Sequence, residues 1–328
     1  MTTDPVIIIE GDPGWLPHSI DWSNGTVQFQ KFPHEQFRAP GFLFEFQAEG
    51  SADKQEIPIS RLRDIRVETL PIHFVFHTAF CRSTLLSRAL NLDGIAVGMS
   101  EPGIIASLVN APAEFRPILS IVLRLLARQR TGVSAIFVKP TNHANRLIPQ
   151  IMDASPDSRA IFMTCPLKPF LNSVRKRGLM GHRWGRKLYL EVQQYAGLDL
   201  GMSPNEAFAM SDLQAAGLAW FLYQNYFTHL ASNSFQERVR TLDSDFFAWN
   251  RASTVEKILR FCMVGSSSFS QKTLEDDPLF SEYSKGAGEI RLENSPQSTE
   301  TEIAQVQHWL ELIASRMNID VPVQQTLL

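Results

Sequence analysis

Little in this sequence is available for metal or disulfide chemistry. Its 328 residues include three cysteines, Cys81, Cys165 and Cys262, an odd number without paired spacing and without histidines at ligand spacing. That pattern argues against a disulfide framework and a zinc site, and points to a reducing compartment. Long apolar runs are lacking too. None approaches the ~20 residues that a membrane helix needs, and the start MTTDPVIIIEGDPGW has neither a basic n-region nor a long enough apolar core for a signal peptide. A cytoplasmic protein is expected. Nor is there an excess of positive charge: the net charge of −3 gives no reason to expect a nucleic-acid or membrane-surface binder, although a balanced total can hide a local patch. With 44% hydrophobic and 20% charged residues the chain is globular as a whole, long enough for one large α/β domain or two smaller ones.

What is present divides into a β-rich lead and an α/β body. Residues 1–66 hold short β-type runs, PVIIIE, TVQFQKF and GFLFEFQAEG, separated by turn signals such as Asp12-Pro13-Gly14 and Asn24-Gly25; they predict a small antiparallel layer packed on the rest. Over residues 67–328 short apolar strands alternate with helical stretches: His73–His77, Ile95–Met99, Ala135–Val138, Ala160–Met163 and Val239–Leu242. Such alternation is the sequence form of βαβ units and a central parallel sheet flanked by helices. Ligands of open sheets of this kind sit beyond the carboxyl ends of the strands. Ser203-Pro204-Asn205-Glu206 is a capping box with proline at the first helical position, and predicts a long apolar helix through Trp220 to about Leu230. Thr299 and Glu302 repeat the box before a C-terminal helix carrying Trp309. There are no internal repeats.

The segment HFVFHTAFCRSTLLSRAL, His73 to Leu90, runs from a buried strand through a short turn into a helix. Its Cys81-Arg82-Ser83-Thr84 compares with the end of a P-loop, where backbone N–H groups and a helix N-terminus bind phosphate. The turn contains no glycine. Without it, left-handed backbone angles are not freely reached, so a grip on one terminal phosphate is expected rather than a full wrap around two. Arg82 would fork onto phosphate oxygens while the Ser83 and Thr84 hydroxyls and the helix dipole add donors. The bland alternative is that Ser83 and Thr84 cap the helix and Arg82 is a surface charge.

These residues resemble the phosphate loop of P-loop-fold sulfotransferases, in the branch with an Arg-Ser-type loop that binds the 5′-phosphosulfate end of 3′-phosphoadenylyl sulfate (PAPS). The resemblance implies a P-loop-like three-layer fold and a catalytic glutamate at the end of the second strand. Here IAVGMS ends in Glu101-Pro102, 19 positions after Arg82. A carboxylate there would deprotonate the acceptor; its plain alternative is an N-cap or first-turn residue of the helix after Pro102. The family's third element, an Arg-x-Pro-like turn before a helix with a serine that holds the 3′-phosphate, is matched by RAIFMTCPLKPFLNSVRKRG at Ser173 and Arg177. Thr164 or Cys165 stands where the arginine belongs, so Lys168, Arg175 or Arg177 would have to replace it. SKGAGEIR, Ser284 to Arg291, resembles the late loop that closes over PAPS, which makes Lys285 a nucleotide contact. Lys139, after the strand AIFV, would meet charge on the transferring sulfonate. His77, at the end of the first strand, is either structural or a second phosphate contact or base.

Charge points to an anion site independently. Between Ser158 and Leu190 lie eight lysines or arginines (Arg159, Lys168, Arg175, Lys176, Arg177, Arg183, Arg186, Lys187) and no acidic residue. A doubly phosphorylated nucleotide would account for them; a solvated basic face or an RNA surface are the alternatives, and no RNA-binding module accompanies the run.

The resemblance implies sulfonyl transfer from PAPS to a hydroxyl or amine of a small molecule. Glu101 is the base, Arg82 and Lys139 stabilise charge, and Cys81, Ser83, Thr84, Ser173, Arg177 and Lys285 hold the nucleotide, with no metal. A kinase or nucleotide hydrolase using ATP and Mg²⁺ would need a Walker lysine and an aspartate at a strand end, and only Asp243 fits loosely. A third reading is a binding protein of this fold without catalysis.

Overall fold

The structure, a computed structural model, describes residues 3–112, 117–265, 298–319 and 326. In chain order the elements are α1 (Pro5–Gly11), β1 (Trp15–Asp21), β2 (Thr26–Lys31), β3 (Lys54–Pro58), β4 (Ile72–His77), α2 (Ser83–Ala89), β5 (Ala96–Ser100), α3 (Gly103–Leu108), α4 (Ile118–Leu126), β6 (Ala135–Lys139), α5 (Ile148–Ala154), β7 (Ala160–Thr164), α6 (Leu167–Lys176), α7 (Gly178–Val192), α8 (Pro204–Ala209), α9 (Asp212–His229), β8 (Val239–Asp243), α10 (Ser244–Trp249), α11 (Arg251–Phe261) and α12 (Ser298–Arg316). They build an antiparallel sheet of order β1-β2-β3 and a five-stranded parallel sheet of order β5-β6-β4-β7-β8, flanked by helices. The described residues fall into two compact units, one of residues 3–76, 83–112, 117–161 and 250–265, the other of residues 77–82, 162–249, 298–319 and 326.

The first unit contains the small sheet. β1 and β2 pair antiparallel across a turn in which the Asp21 carboxylate accepts from the N–H groups of Ser23 (2.9 Å) and Asn24 (3.0 Å). β3 joins β2 with Val27 opposite Ile57. The antiparallel layer is as expected, but its strands are not. PVIIIE is helical: the Asp4 side chain accepts from Val6 N–H at 3.0 Å, Pro5 occupies the first turn, and Val6 and Ile9, three apart, are the buried positions. An N-cap with proline behind it outweighs the β-propensity of an isoleucine run. GFLFEFQAEG holds only a 3-10 turn at Leu43–Glu45, where the Glu45 carboxylate accepts from Phe42 N–H at 3.2 Å. The strands that complete the sheet, β1 and β3, lie in segments not read as such.

β4, β5 and β6 are buried along their whole length. They run parallel, with Ile72 beside Ile136 and Ser100 beside Lys139. α2 lies directly on β5. A Cβ on Gly98 would stand 1.9 Å from the Ser87 carbonyl oxygen, so only glycine permits this approach.

In the second unit α9 is apolar nearly all round and buried from Leu213 to Phe227 except at Gln214 and Asn225, as a core helix must be. Glycines let its neighbours close on it: a Cβ on Gly185 of α7 would meet Ala216, and one on Gly217 would meet Val306 of α12. The single helix expected from Ser203 is two. The Ser203–Glu206 box opens only the short α8; Met210 (φ −61°, ψ 140°) breaks the chain, and a second box, Ser211 with Gln214, opens α9.

Candidate active site

In the first unit the carboxyl ends of β5 and β6 bring two expected residues together. Ser100 pairs with Lys139 in the ladder, and Glu101 N–H donates to the Lys139 carbonyl at 2.7 Å. The Lys139 ammonium donates to the Glu101 carboxylate. That same ammonium lies 5.0 Å from the centre of the Phe42 ring. Both side chains are withdrawn from water, where an ion pair is held far more tightly than on a surface. Glu101 does not cap α3, whose N-cap is Pro102 without a side-chain hydrogen bond. Its backbone is left-handed, at φ 51°.

In the second unit the turn after β4 is left-handed at Ala79 (φ 75°), Phe80 (φ 55°) and Arg82 (φ 61°). The expectation that a turn without glycine would avoid such angles is overturned. Each left-handed non-glycine residue costs roughly 1–2 kcal/mol, so surrounding contacts must hold the turn. Thr78 N–H and the Cys81 thiol both donate to the Met163 carbonyl, at 3.2 and 3.5 Å. The Cys165 thiol approaches the Ala79 carbonyl at 3.8 Å, and the Cys165 carbonyl accepts from Trp220 Nε1 at 2.8 Å. Burial pushes the Cys165 thiol well above its ordinary pKa, so it stays protonated as a donor. Phe80 packs against Phe170 and Trp184, with ring centres 5.8 and 4.9 Å away. The Arg177 guanidinium carbon sits 4.1 Å from the Phe80 ring centre. His77 is buried and its Nδ1 accepts Ala79 N–H at 3.1 Å, which fits the structural alternative for this residue.

The remaining expected residues sort as follows. Arg82 Nη1 donates to Asp245 Oδ1 at 2.9 Å and reaches the Ser244 carbonyl at 3.4 Å. Ser83 and Thr84, the first residues of α2, are buried, and so is Cys81, while the Arg82 side chain is exposed. Arg177 ends α6, its Nη1 donating to the Ser173 carbonyl at 2.8 Å, and burial lowers its pKa. Arg175 and Ser173 are half-buried on the same helix. The basic run is partly paired within the protein: Lys168 meets Glu300 at 2.6 Å on the surface, Arg186 pairs with Asp212, and Arg159, in the first unit, donates to the Phe261 carbonyl. Lys285 and the rest of SKGAGEIR lie outside the described residues.

Residues that sequence reasoning passed over complete the picture. Thr78, Thr164 and Ser244, all in the second unit, stand at or one step past the carboxyl ends of β4, β7 and β8, and are fully buried. None of their hydroxyls has a hydrogen-bond partner among the described residues, and the same holds for Ser100 Oγ in the first unit. Buried polar groups are nearly always satisfied, so these hydroxyls are exceptions. Their signal was the strand assignment itself, because the residue after each apolar run is a threonine or serine in three of five cases. Among the described residues no three His, Cys, Asp or Glu side chains are grouped to hold a metal, and no helix is long and apolar enough to cross a membrane.

No family model matches the chain, and no curated protein matches it. Among solved structures it is similar to a sulfotransferase from Alicyclobacillus acidocaldarius, with 16% identity over 77% of this chain and 98% of that one and a TM-score of 0.44. It is also similar to the sulfotransferase domain from the curacin biosynthetic pathway, with 13% identity over 78% of this chain and 100% of that one and a TM-score of 0.40.

Proposed function

We propose that this protein transfers a sulfonyl group from PAPS to a hydroxyl or amine of a small molecule. The observation that carries the reading is the turn after β4, where Ala79, Phe80 and Arg82 are held in left-handed angles without glycine. Strain of this kind persists only where surrounding structure over-determines it, and it concentrates at functional sites. Glu101 is strained in the same sense; four of the six left-handed non-glycine residues among those described belong to these two strand ends. The motif resemblance and the orphaned hydroxyls of Thr78, Thr164 and Ser244 agree with a ligand rich in phosphate oxygens.

When bound, PAPS supplies the activated sulfonyl group. The chain's own residues do the rest. Thr78, Ser83 and Thr84 would donate to the 5′-phosphate, with Arg82 supplying a cation after exchanging Asp245 for the ligand. Ser173 and Arg177 would hold the 3′-phosphate, with Arg177 kept in place by its seat on Phe80. Glu101 would take the acceptor's proton while Lys139 orients the carboxylate and offsets charge on the sulfonate oxygens. The ATP-dependent alternative is disfavoured by Asp243, whose carboxylate already accepts the N–H groups of Asp245 (2.8 Å) and Phe246 (3.1 Å) as the start of α10.

The test compares thermal stabilisation by 3′-phosphoadenosine 5′-phosphate (PAP), AMP and ATP–Mg²⁺, since a ligand specific to the folded state raises the melting temperature by mass action. Selective stabilisation by PAP, abolished in Arg82→Ala, supports the proposal and leads to an acceptor screen. Stabilisation by ATP–Mg²⁺ in its place, or by none of the three, overturns it. PAP binding without transfer to any acceptor would identify a binding protein.

A further inference from the structure

In the second unit α7 buries one face and leaves the other bare. Gly181, Gly185, Leu188 and Val192 are buried, and Gly185 abuts Ala216 of α9. On the opposite side stand Leu179, Met180, Arg183, Lys187 and Leu190, at spacings of three and four residues that keep them on one helical face over roughly 17 Å. Its apolar members are well out in solvent: Leu179 is 64% exposed, Met180 73% and Leu190 55%. Arg183 and Lys187 are exposed among them, and so is Lys176 at the end of α6.

The charge of this face has one sign. None of Lys176, Arg183 and Lys187 has an ion pair among the described residues. α6 carries no acidic residue, and α7 carries only Glu191, just past Leu190. Asp212, which α9 brings against α7, is engaged by Arg186 and, at 3.3 Å, by His182, so it does not offset the exposed cations. A further bare apolar side chain stands close by. Phe208 of α8 is 87% exposed, two residues from the Met210 carbonyl to which Arg186 donates, which places it beside the same helix.

We propose that this face of α7 rests on an anionic lipid bilayer, with Leu179, Met180 and Leu190 entering the headgroup boundary while Arg183 and Lys187 meet the lipid anions. The interleaving of the two kinds of side chain decides the occupant. A protein interface is depleted of charge at its centre and keeps it for the rim, whereas Arg183 stands in the middle of this stripe. Nucleic acid would pair with the cations but offers nothing to three exposed aliphatic side chains. A bilayer surface meets both demands, because lysine and arginine lay their aliphatic stems along apolar surface and keep their heads at the phosphate level. The net charge of −3 conceals the patch, since it averages over the chain. Docking on lipid does not require sulfonyl transfer and stands without it.

The test is co-sedimentation of the full chain with vesicles of phosphatidylcholine alone and of phosphatidylcholine with about one third phosphatidylserine. Saturable binding to the anionic vesicles is expected, falling as salt rises and at least about tenfold weaker on the neutral ones. Arg183→Gln with Lys187→Gln should weaken it by roughly 20- to 30-fold, since each basic side chain near such a surface is worth about fivefold. Leu179→Gln with Met180→Gln should weaken it by at least about fivefold, a loss that persists at high salt. Both pairs are exposed, and an unchanged melting temperature in each variant shows that the fold is kept. No binding to the anionic vesicles overturns the proposal and leaves the face to an acidic protein. A loss confined to the basic variant also overturns it, because that marks a solvated basic face adsorbing by charge alone. So does equal binding by the wild type and both variants.

Discussion

The ammonium of Lys139 and the carboxylate of Glu101 form an ion pair at the ends of adjacent parallel strands, with 0% and 11% of the two side chains exposed. Removing one partner leaves the other charge buried and alone. Glu101→Leu should therefore lose about 3–5 kcal/mol of unfolding free energy in urea, while Glu101→Leu with Lys139→Met should recover most of it. A single variant that costs less than about 1 kcal/mol would rule out a desolvated pair. Glu101→Gln, which keeps a polar group at the site, should retain the PAP response and lower turnover by roughly 10²- to 10⁴-fold.

Asp245 pairs with Arg82 at 2.9 Å, and under the proposed function the ligand would have to displace it. The pair is half exposed, at 42% and 46%, so Asp245→Asn should change stability by no more than about 1 kcal/mol. Its PAP affinity should rise by about two- to fivefold, measured by calorimetry, because less than 1 kcal/mol of pairing is no longer surrendered on binding. Weaker PAP binding in this variant would mean that Asp245 orients Arg82 rather than occupies it.

Ala79 reports the strain of the turn. At φ 75°, Ala79→Gly removes the steric penalty of about 1–2 kcal/mol and adds unfolded-chain entropy of about 0.4–1 kcal/mol, for a net gain of up to about 1.6 kcal/mol. Ala79→Val should lose stability by more than that. Equal stability of the three proteins in urea would show the turn to be unstrained.

His73 gives the fold an acid limit. It is buried, its Nδ1 accepts Arg159 N–H at 3.2 Å, and burial followed by the charge of Arg159 lowers its pKa to about 4. Above pH 6.5 both folded and unfolded chains hold it neutral. As pH falls below 6.5 the unfolded chain binds the proton first, so stability drains away until the folded pKa is passed. Between pH 7 and pH 5 the loss from this group is about 2 kcal/mol. His73→Asn, which keeps an acceptor for Arg159 N–H, should flatten that part of the pH profile.

β5, β6 and β7 were legible because strands buried on both faces read as unbroken apolar runs, and the carboxyl ends of β5 and β6 located Glu101 and Lys139. The small sheet was harder. PVIIIE carries both a β-rich composition and a helix start at Asp4-Pro5, and the local cap prevailed. The split between α8 and α9 was written in the sequence as the second box, Ser211 to Gln214, but a longer apolar stretch masked it. The turn was misjudged for a different reason. Its angles are not a property of residues 79–82; they are imposed by Arg177, Trp184 and Cys165, and no local rule records partners so far along the chain.

That dependence sets an order of events. During synthesis residues 77–82 leave the ribosome well before Cys165, Arg177, Trp184 and Asp245, each of which holds part of the turn. A nascent chain therefore carries the turn for a long interval without the contacts that bend it, free to relax into ordinary right-handed or extended angles. The shape of the turn is acquired late, together with the packing of α6 and α7, and a fragment ending before them would have the whole motif and none of its shape.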